Sequence, residues 1–305
     1  MKRSLSSFVT DAHVAEPALA HGSGCRCALH MRRLFTGGVL AAAAAPVLAQ
    51  PLGECKRSQL AGLVPVDQLE GAANQQYKQM LQQAASQRAL APKDHPQERR
   101  LRAIAERIIP FTAECNERAK EWKWEVNLIG SKELNAFCMP GGKIAFYYGI
   151  LQQLQLDDDE VAMIMGHEIS HALLEHARER IGKTNVTNGV IELGSALLGL
   201  GNVGRMVANM GGQLLTLRFS REDESEADAL GLVLAAQAGY NPRAGVTLWR
   251  KMLSANKGAP PQWLSTHPSG ESRIAEIESR LPRVEPIYAA APKPPQRFSP
   301  PAQKA

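Results

Sequence analysis

From Val66 to Leu90 the chain is rich in Gln and Ala with few breakers, which predicts a helix closed by Ala91-Pro92. Apolar residues at Leu101, Ile104, Ala105, Ile108 and Ile109 recur at helical spacing and predict a second helix over 97–121, with Pro110 as a kink or break. The period then shortens. Trp122, Trp124, Val126 and Leu128 alternate with polar residues and predict a strand over 122–129. Residues 135–139 and 143–148 predict two more strands around the turn Pro140-Gly141-Gly142, so a small antiparallel sheet is expected.

Helical spacing returns after Asp157-Asp158-Asp159-Glu160, where Asp157 is placed to cap a helix and Glu160 follows three residues later. That helix should run to about Arg180, and Val161, Ile164, Met165, Leu173 and Leu174 mark it as buried. Residues 186–212 are apolar and rich in Gly and Ala, but Glu192, Asn202 and Arg205 argue against a membrane span. A loosely packed or mobile helical hairpin over the active site is expected instead. Helices over 220–238, 242–255 and 270–281 follow, and beyond Pro282 periodicity ends, so 283–305 reads as a disordered Pro-rich tail. No internal repeat is apparent. The fold class expected is α+β, mainly helical, with the sheet packed beside the helix that starts at Asp157.

The first 49 residues form a separate unit. Met31-Arg32-Arg33 precedes a short apolar run that ends in Val47-Leu48-Ala49, the pattern of a secretory signal peptide cleaved before Gln50, with residues 1–30 an upstream extension. Paired arginines leave both general and twin-arginine export open. The division expected is leader 1–49, helical lead-in 50–94, main domain 95–282 and tail 283–305. Export makes the mature chain periplasmic, with peripheral membrane association left open. Removing the leader leaves Cys55, Cys115 and Cys138, which permit at most one internal disulfide and define no disulfide framework. Glu54 makes Cys55 a poor lipid-attachment site.

Charge alters this picture little. The 305 residues are 44% hydrophobic and 21% charged, which excludes collagen, a disulfide-dense miniprotein and a disordered polyelectrolyte. The net charge of +5 resides at the ends: five basic residues face two acids up to Ala49, and four face one from Leu281 onward. The body is near neutral without a basic cluster, so no nucleic-acid partner is expected.

The chemistry-bearing residues lie in the capped helix, as His167-Glu168-Ile169-Ser170-His171. Residues four apart share a helix face, so both imidazoles can reach one ion while Glu168, about 100° round, can hold a water without ligating the metal. This is the H-E-x-x-H arrangement in which zinc acidifies water and the carboxylate takes the proton. A buried His-Glu-His cluster is costly unless partnered. Downstream, Glu224 and Asp228 are four apart, so one helix face can give a third ligand to the metal and a carboxylate to an imidazole N–H. Two His and one Glu leave a fourth position for water, the ligand set of a catalytic zinc site with one ion per chain. Glu222 and Asp223 read as a solvated acidic face. His176, nine residues from His167, lies on the opposite side of a continuous helix and is excluded as a ligand. Pro268 holds His267 extended, so the ring could stabilise an oxyanion or occupy the open position as an inhibitory ligand.

Four blocks carry a resemblance: Asn135-Ala136-Phe137 with Pro140-Gly141-Gly142; Gly166 to His171; Ser220-Arg221 with Glu224, Glu226, Ala227 and Asp228; and Thr266-His267-Pro268 with Arg273. In this order they resemble the gluzincin-type zinc metallopeptidases of the prenyl-protease and HtpX superfamily, in particular the exported soluble branch that includes the beta-barrel assembly-enhancing protease. The resemblance implies a zincin-like fold in which His167, His171 and Glu224 bind zinc, Glu168 is the general base, Asp228 orients a ligand histidine and His267 acts at the site. It also implies that Asn135, Ala136 and Phe137 form a substrate-binding edge. The implied activity is that of a zinc endopeptidase acting on misfolded or unassembled envelope proteins. The alternative is a zinc-stabilised chaperone or assembly factor with latent or absent proteolysis. A nucleophilic hydrolase lacks support because no Gly-x-Ser-x-Gly elbow is present.

Overall fold

The structure is a computed structural model that describes residues 55–192, 214, 217–255, 262–267 and 270–302, with backbone alone over 185–192. The leader with its cleavage site, residues 193–212 of the Gly-rich segment 186–212 for which a hairpin is expected, and Pro268 lie outside the described residues.

Helix α1 (Val66–Ser86) follows a short 3-10 segment at the start of the described residues, and α2 (Pro96–Ile108) starts with Pro96 at its first turn and the His95 side chain accepting from Gln97 N. The predicted second helix ends early. Pro110 cannot donate to the helical ladder, and the chain tightens into 3-10 turns at Ile109–Glu114 and Glu117–Lys120. Strands β1 (Glu125–Ile129), β2 (Ala136–Met139) and β3 (Lys143–Tyr147) then form a sheet in the order β1-β3-β2.

That order corrects the expectation of an antiparallel sheet. The β2–β3 hairpin is antiparallel, turning through Gly141 and Gly142 at φ 84° and 76°, but it folds β3 between β2 and β1, so β1 and β3 run parallel. Alternation along a strand reports burial and says nothing of neighbour order. The outer edge of β1 is covered by residues 89–91, with Ala91 N donating to Leu128 O at 3.0 Å and Gly130 N to Ala89 O at 2.6 Å. Strand β2 is the opposite edge, and it lies beside α4.

After the short α3 (Tyr148–Gln153), α4 (Asp158–Leu173) begins with the expected capping box between Asp157 and Glu160. It stops short of the predicted Arg180. Leu174 closes it, Glu175 takes φ 60°, and a new helix α5 (His176–Glu192) sets off in another direction. Helices α6 (Arg221–Gln237), α7 (Ala244–Ala255), α8 (Gln262–Thr266) and α9 (Glu271–Ala290) complete the order. α4 is buried at every position except Asp159, and α2, the sheet, α6, α7 and α9 share one hydrophobic core with it.

The C-terminal segment corrects a second expectation. α9 continues through Pro282 and Pro286 to Ala290, and the residues beyond run extended along the start of α4. Phe298 N donates to Asp158 Oδ2 at 2.8 Å, Arg297 pairs with Asp159 at 2.8 Å, and Gln97 Nε2 donates to Ser299 O at 2.9 Å. Pro-rich composition removed periodicity, while order came from long-range partners that composition does not display. Cys55 and Cys115 form the one disulfide the cysteine count allows, so the Cys55 sulfur is not free for lipid attachment in this state; Cys138 is a buried thiol. Among the described residues no helix is long and apolar enough to cross a membrane.

Candidate active site

Helices α4 and α6 meet through two glycines. A Cβ on Gly166 would lie 2.7 Å from Gly231 O, and one on Gly231 would lie 2.7 Å from His167 N. Only bare backbone permits that approach, and it brings the carboxylates of α6 within reach of the imidazoles of α4. Ser220 caps α6 with Asp223 in a reciprocal box, so Asp223 is a buried capping residue rather than part of a solvated face.

The predicted constellation assembles. His167 Nε2 and His171 Nε2 are 3.0 Å apart, and Glu224 lies 3.6 Å from the first and 3.5 Å from the second. His267 joins them, its Nδ1 3.2 Å from His167 Nε2 and 2.9 Å from Glu224 Oε1. One donor atom from each of these four residues lies within 4.8 Å of all the others, and all four residues are buried. A tetrahedral ion with ligand bonds near 2.0–2.1 Å places neighbouring donors about 3.3 Å apart, so the set fits a single small cation. The Nε2 atoms of His167 and His171 and the Glu224 carboxylate face one another away from water, an arrangement of lone pairs that a shared cation would offset.

Behind the donors lies a layer of supports. His167 Nδ1 is 3.0 Å from Asp228 Oδ1, and the Arg273 guanidinium donates from Nε and Nη2 to Asp228 at 2.8 Å each and from Nη1 to Glu224. Arg273 also stacks over the Trp249 ring at 3.7 Å. Burial pushes the Glu224 and Asp228 carboxyls up, but the neighbouring histidines for Glu224, and Arg273 with His167 for Asp228, hold both below the usual carboxylate range. Burial drives His171 well below its ordinary value, which favours the neutral imidazole a metal requires. For His267 burial acts in the same direction, yet the carboxylates of Glu168 and Glu224 win and raise it.

Glu168 sits beside the donor set. Its Oε1 accepts from Trp263 Nε1 at 2.6 Å and lies 3.5 Å from His267 Nε2. A cleft runs from this carboxylate along β2, lined by Asn135, Ala136 and Phe137, by His171 and by apolar residues including Phe219. Phe137 packs edge-on to Tyr77 and Tyr147, each at 6.4 Å.

Several site residues were not foreseen. Trp263 and Phe219 flank the histidines as stacked rings, Trp263 on His267 at 4.9 Å and Phe219 on His171 at 4.0 Å, and no short motif marks either. His176 lies against His171 because the helix breaks at Glu175, which corrects the expectation that it sits on the opposite side of a continuous helix. Glu175 itself is buried and paired with Arg178 at 2.8 Å.

A buried helix that offers two imidazoles, a carboxylate beside them and a third donor from a second helix defines a metallopeptidase-type centre in an α+β fold. Residues 95–281 match the family described as Peptidase family M48, and the chain belongs to that family. It is 33% identical over 225 residues to "Mitochondrial metalloendopeptidase OMA1" of Schizosaccharomyces pombe, covering 73% of this chain and 64% of that one. With the Arabidopsis thaliana protein of the same name it shares 40% over 150 residues, covering 49% and 30%. The "Beta-barrel assembly-enhancing protease" of Escherichia coli is 31% identical over 170 residues, covering 52% and 35%. The chain thus spans less than two thirds of the length of each of these relatives.

Proposed function

We propose that this protein is a zinc-dependent endopeptidase, with one zinc held by His167, His171 and Glu224. The observation that carries the reading is the convergence of His167 and His171 from the buried α4 with Glu224 from α6, beside the Glu168 carboxylate. When bound, zinc would acidify a water and polarise the scissile carbonyl. Glu168 would take the proton from that water and return it to the leaving amine. Asp228, itself braced by Arg273, would accept from His167 Nδ1 and fix that ring's Nε2 toward the metal. The β2 edge supports an extended polypeptide adding as a further strand, with Asn135, Ala136 and Phe137 along it and its scissile bond near Glu168.

The division into leader 1–49, lead-in 50–94 and catalytic domain 95–282 belongs to the same proposal. The leader pattern and the Escherichia coli relative support export to the periplasm and a role in clearing misfolded or unassembled envelope proteins. One observation favours a second reading, that of a chaperone or assembly factor with latent proteolysis: His267 Nδ1 lies among the donors, where it would occupy the position water needs. Glu168→Gln tests the first reading, since it should keep bound zinc and lose casein or peptide cleavage, whereas unchanged turnover would eliminate Glu168 as the base.

A further inference from the structure

The two histidines of α4 are both oriented with Nε2 toward the donor cluster and Nδ1 away from it, but they are braced differently. Behind His167 stands Asp228. Behind His171 stands His176, whose Nδ1 is 2.9 Å from His171 Nδ1 and whose Nε2 is 3.3 Å from Glu226 Oε2. His176 is 1% exposed, whereas the Glu226 side chain is 51% exposed, so the series leads from the buried cluster to the surface. α6 thereby sends three alternate acids to three destinations, with Glu224 at the cluster, Glu226 at His176 and Asp228 at His167.

Hydrogen-bond logic gives this series one direction. A neutral imidazole that presents the Nε2 lone pair to a cation carries its proton on Nδ1, and that N–H needs an acceptor. The atom facing it is His176 Nδ1. A ring accepting at Nδ1 carries its own proton on Nε2, which points at the Glu226 carboxylate. The result is His171 Nδ1–H to His176 Nδ1, then His176 Nε2–H to Glu226 Oε2, with each polar atom used once. Phe219 stacks on the face of His171 with ring centroids 4.0 Å apart and planes 27° apart, so that ring is held by one face and one edge.

We propose that His176 is a positioning residue that sets the tautomer and orientation of His171, with Glu226 as its surface-side anchor. The inference rests on the reading of His171 as a metal ligand and goes beyond it, because it assigns a role to a residue that touches no metal. The backbone break is part of the device. Without the positive φ at Glu175, His176 would continue round α4 and face away from His171.

The test measures zinc affinity of the full chain by competition with a chromophoric chelator, with thermal melts of the metal-free proteins as a check on folding. His176→Phe keeps a ring but cannot accept, and it should weaken zinc by about 10–100-fold. His176→Asn places an amide oxygen near the position of Nδ1 and should restore most of that loss. Glu226→Ala, on a half-exposed side chain, should weaken zinc in the same direction by a smaller factor and serves if His176→Phe does not fold. Equal affinity in wild type, His176→Phe and Glu226→Ala would overturn the proposal. So would an equal loss in the Phe and Asn variants, which would mark His176 as packing alone. A wild type that binds no zinc would overturn the metal reading itself, and a wild type that binds zinc with indifferent variants would overturn only the His176 assignment.

Discussion

Replacing Gly166 by Ala tests whether the crossing of α4 and α6 sets the site. The new methyl carbon would lie 2.7 Å from Gly231 O, where ordinary contact begins at 3.4 Å. The helices must therefore separate by roughly 0.7 Å at their closest point, or bend, and overpacking of this kind costs about 1–3 kcal/mol. For a domain of this size that corresponds to a fall in Tm of roughly 2–12 °C. The same displacement carries Glu224 and Asp228 away from His171 and His167, so zinc affinity should fall along with stability. Gly71→Ala is the control, since a Cβ at Gly71, in the exposed part of α1, meets nothing within 4 Å. It should be neutral or stabilise by up to about 1 kcal/mol through helix propensity. Thermal melts and chelator competition on the two variants decide the matter. A Gly166→Ala protein as stable and as tight for zinc as Gly71→Ala would refute the claim that bare backbone contact positions the acids.

Other consequences can be checked independently. His267→Ala should raise peptide cleavage if that ring plugs the open position; wild type and variant both inert yet binding unfolded clients would favour the chaperone reading. Asp228→Asn should weaken zinc by about 10–100-fold while leaving the Arg273 stack on Trp249 in place. Because Asp228 and Glu224 are held below the usual carboxylate range, their contribution to the metal-free fold is complete above pH about 4 and declines as pH falls through their lower folded values. Melts between pH 2 and pH 6 should therefore show a steeper acid loss in wild type than in Asp228→Asn. Reduction of Cys55–Cys115, which closes a separation of 60 residues, should lower stability by up to roughly 4 kcal/mol in a denaturant titration.

Most of the site was legible because its spacing is a property of one helix. The 3.6-residue period alone places His167 and His171 on one face of α4 with Glu168 about 100° round, and Glu224 and Asp228 on one face of α6. What escaped depends on features with no period. His176 was placed by a continuous helix that in fact breaks at Glu175, where a residue other than glycine takes positive φ. Trp263 reaches Glu168 from a helix of five residues whose path is set by tertiary contacts. The parallel pairing of β1 with β3 and the docking of residues 297–299 on Asp158, Asp159 and Gln97 are likewise decisions between distant segments, which local pattern does not encode.

Metal dependence is the property that defines a zinc peptidase. Metal analysis of the purified chain, paired with cleavage of an unfolded protein before chelation, after chelation and after zinc is returned, measures it directly. We expect one zinc per chain, loss of cleavage on chelation and recovery with zinc. Cleavage that survives complete removal of the metal would contradict the central claim.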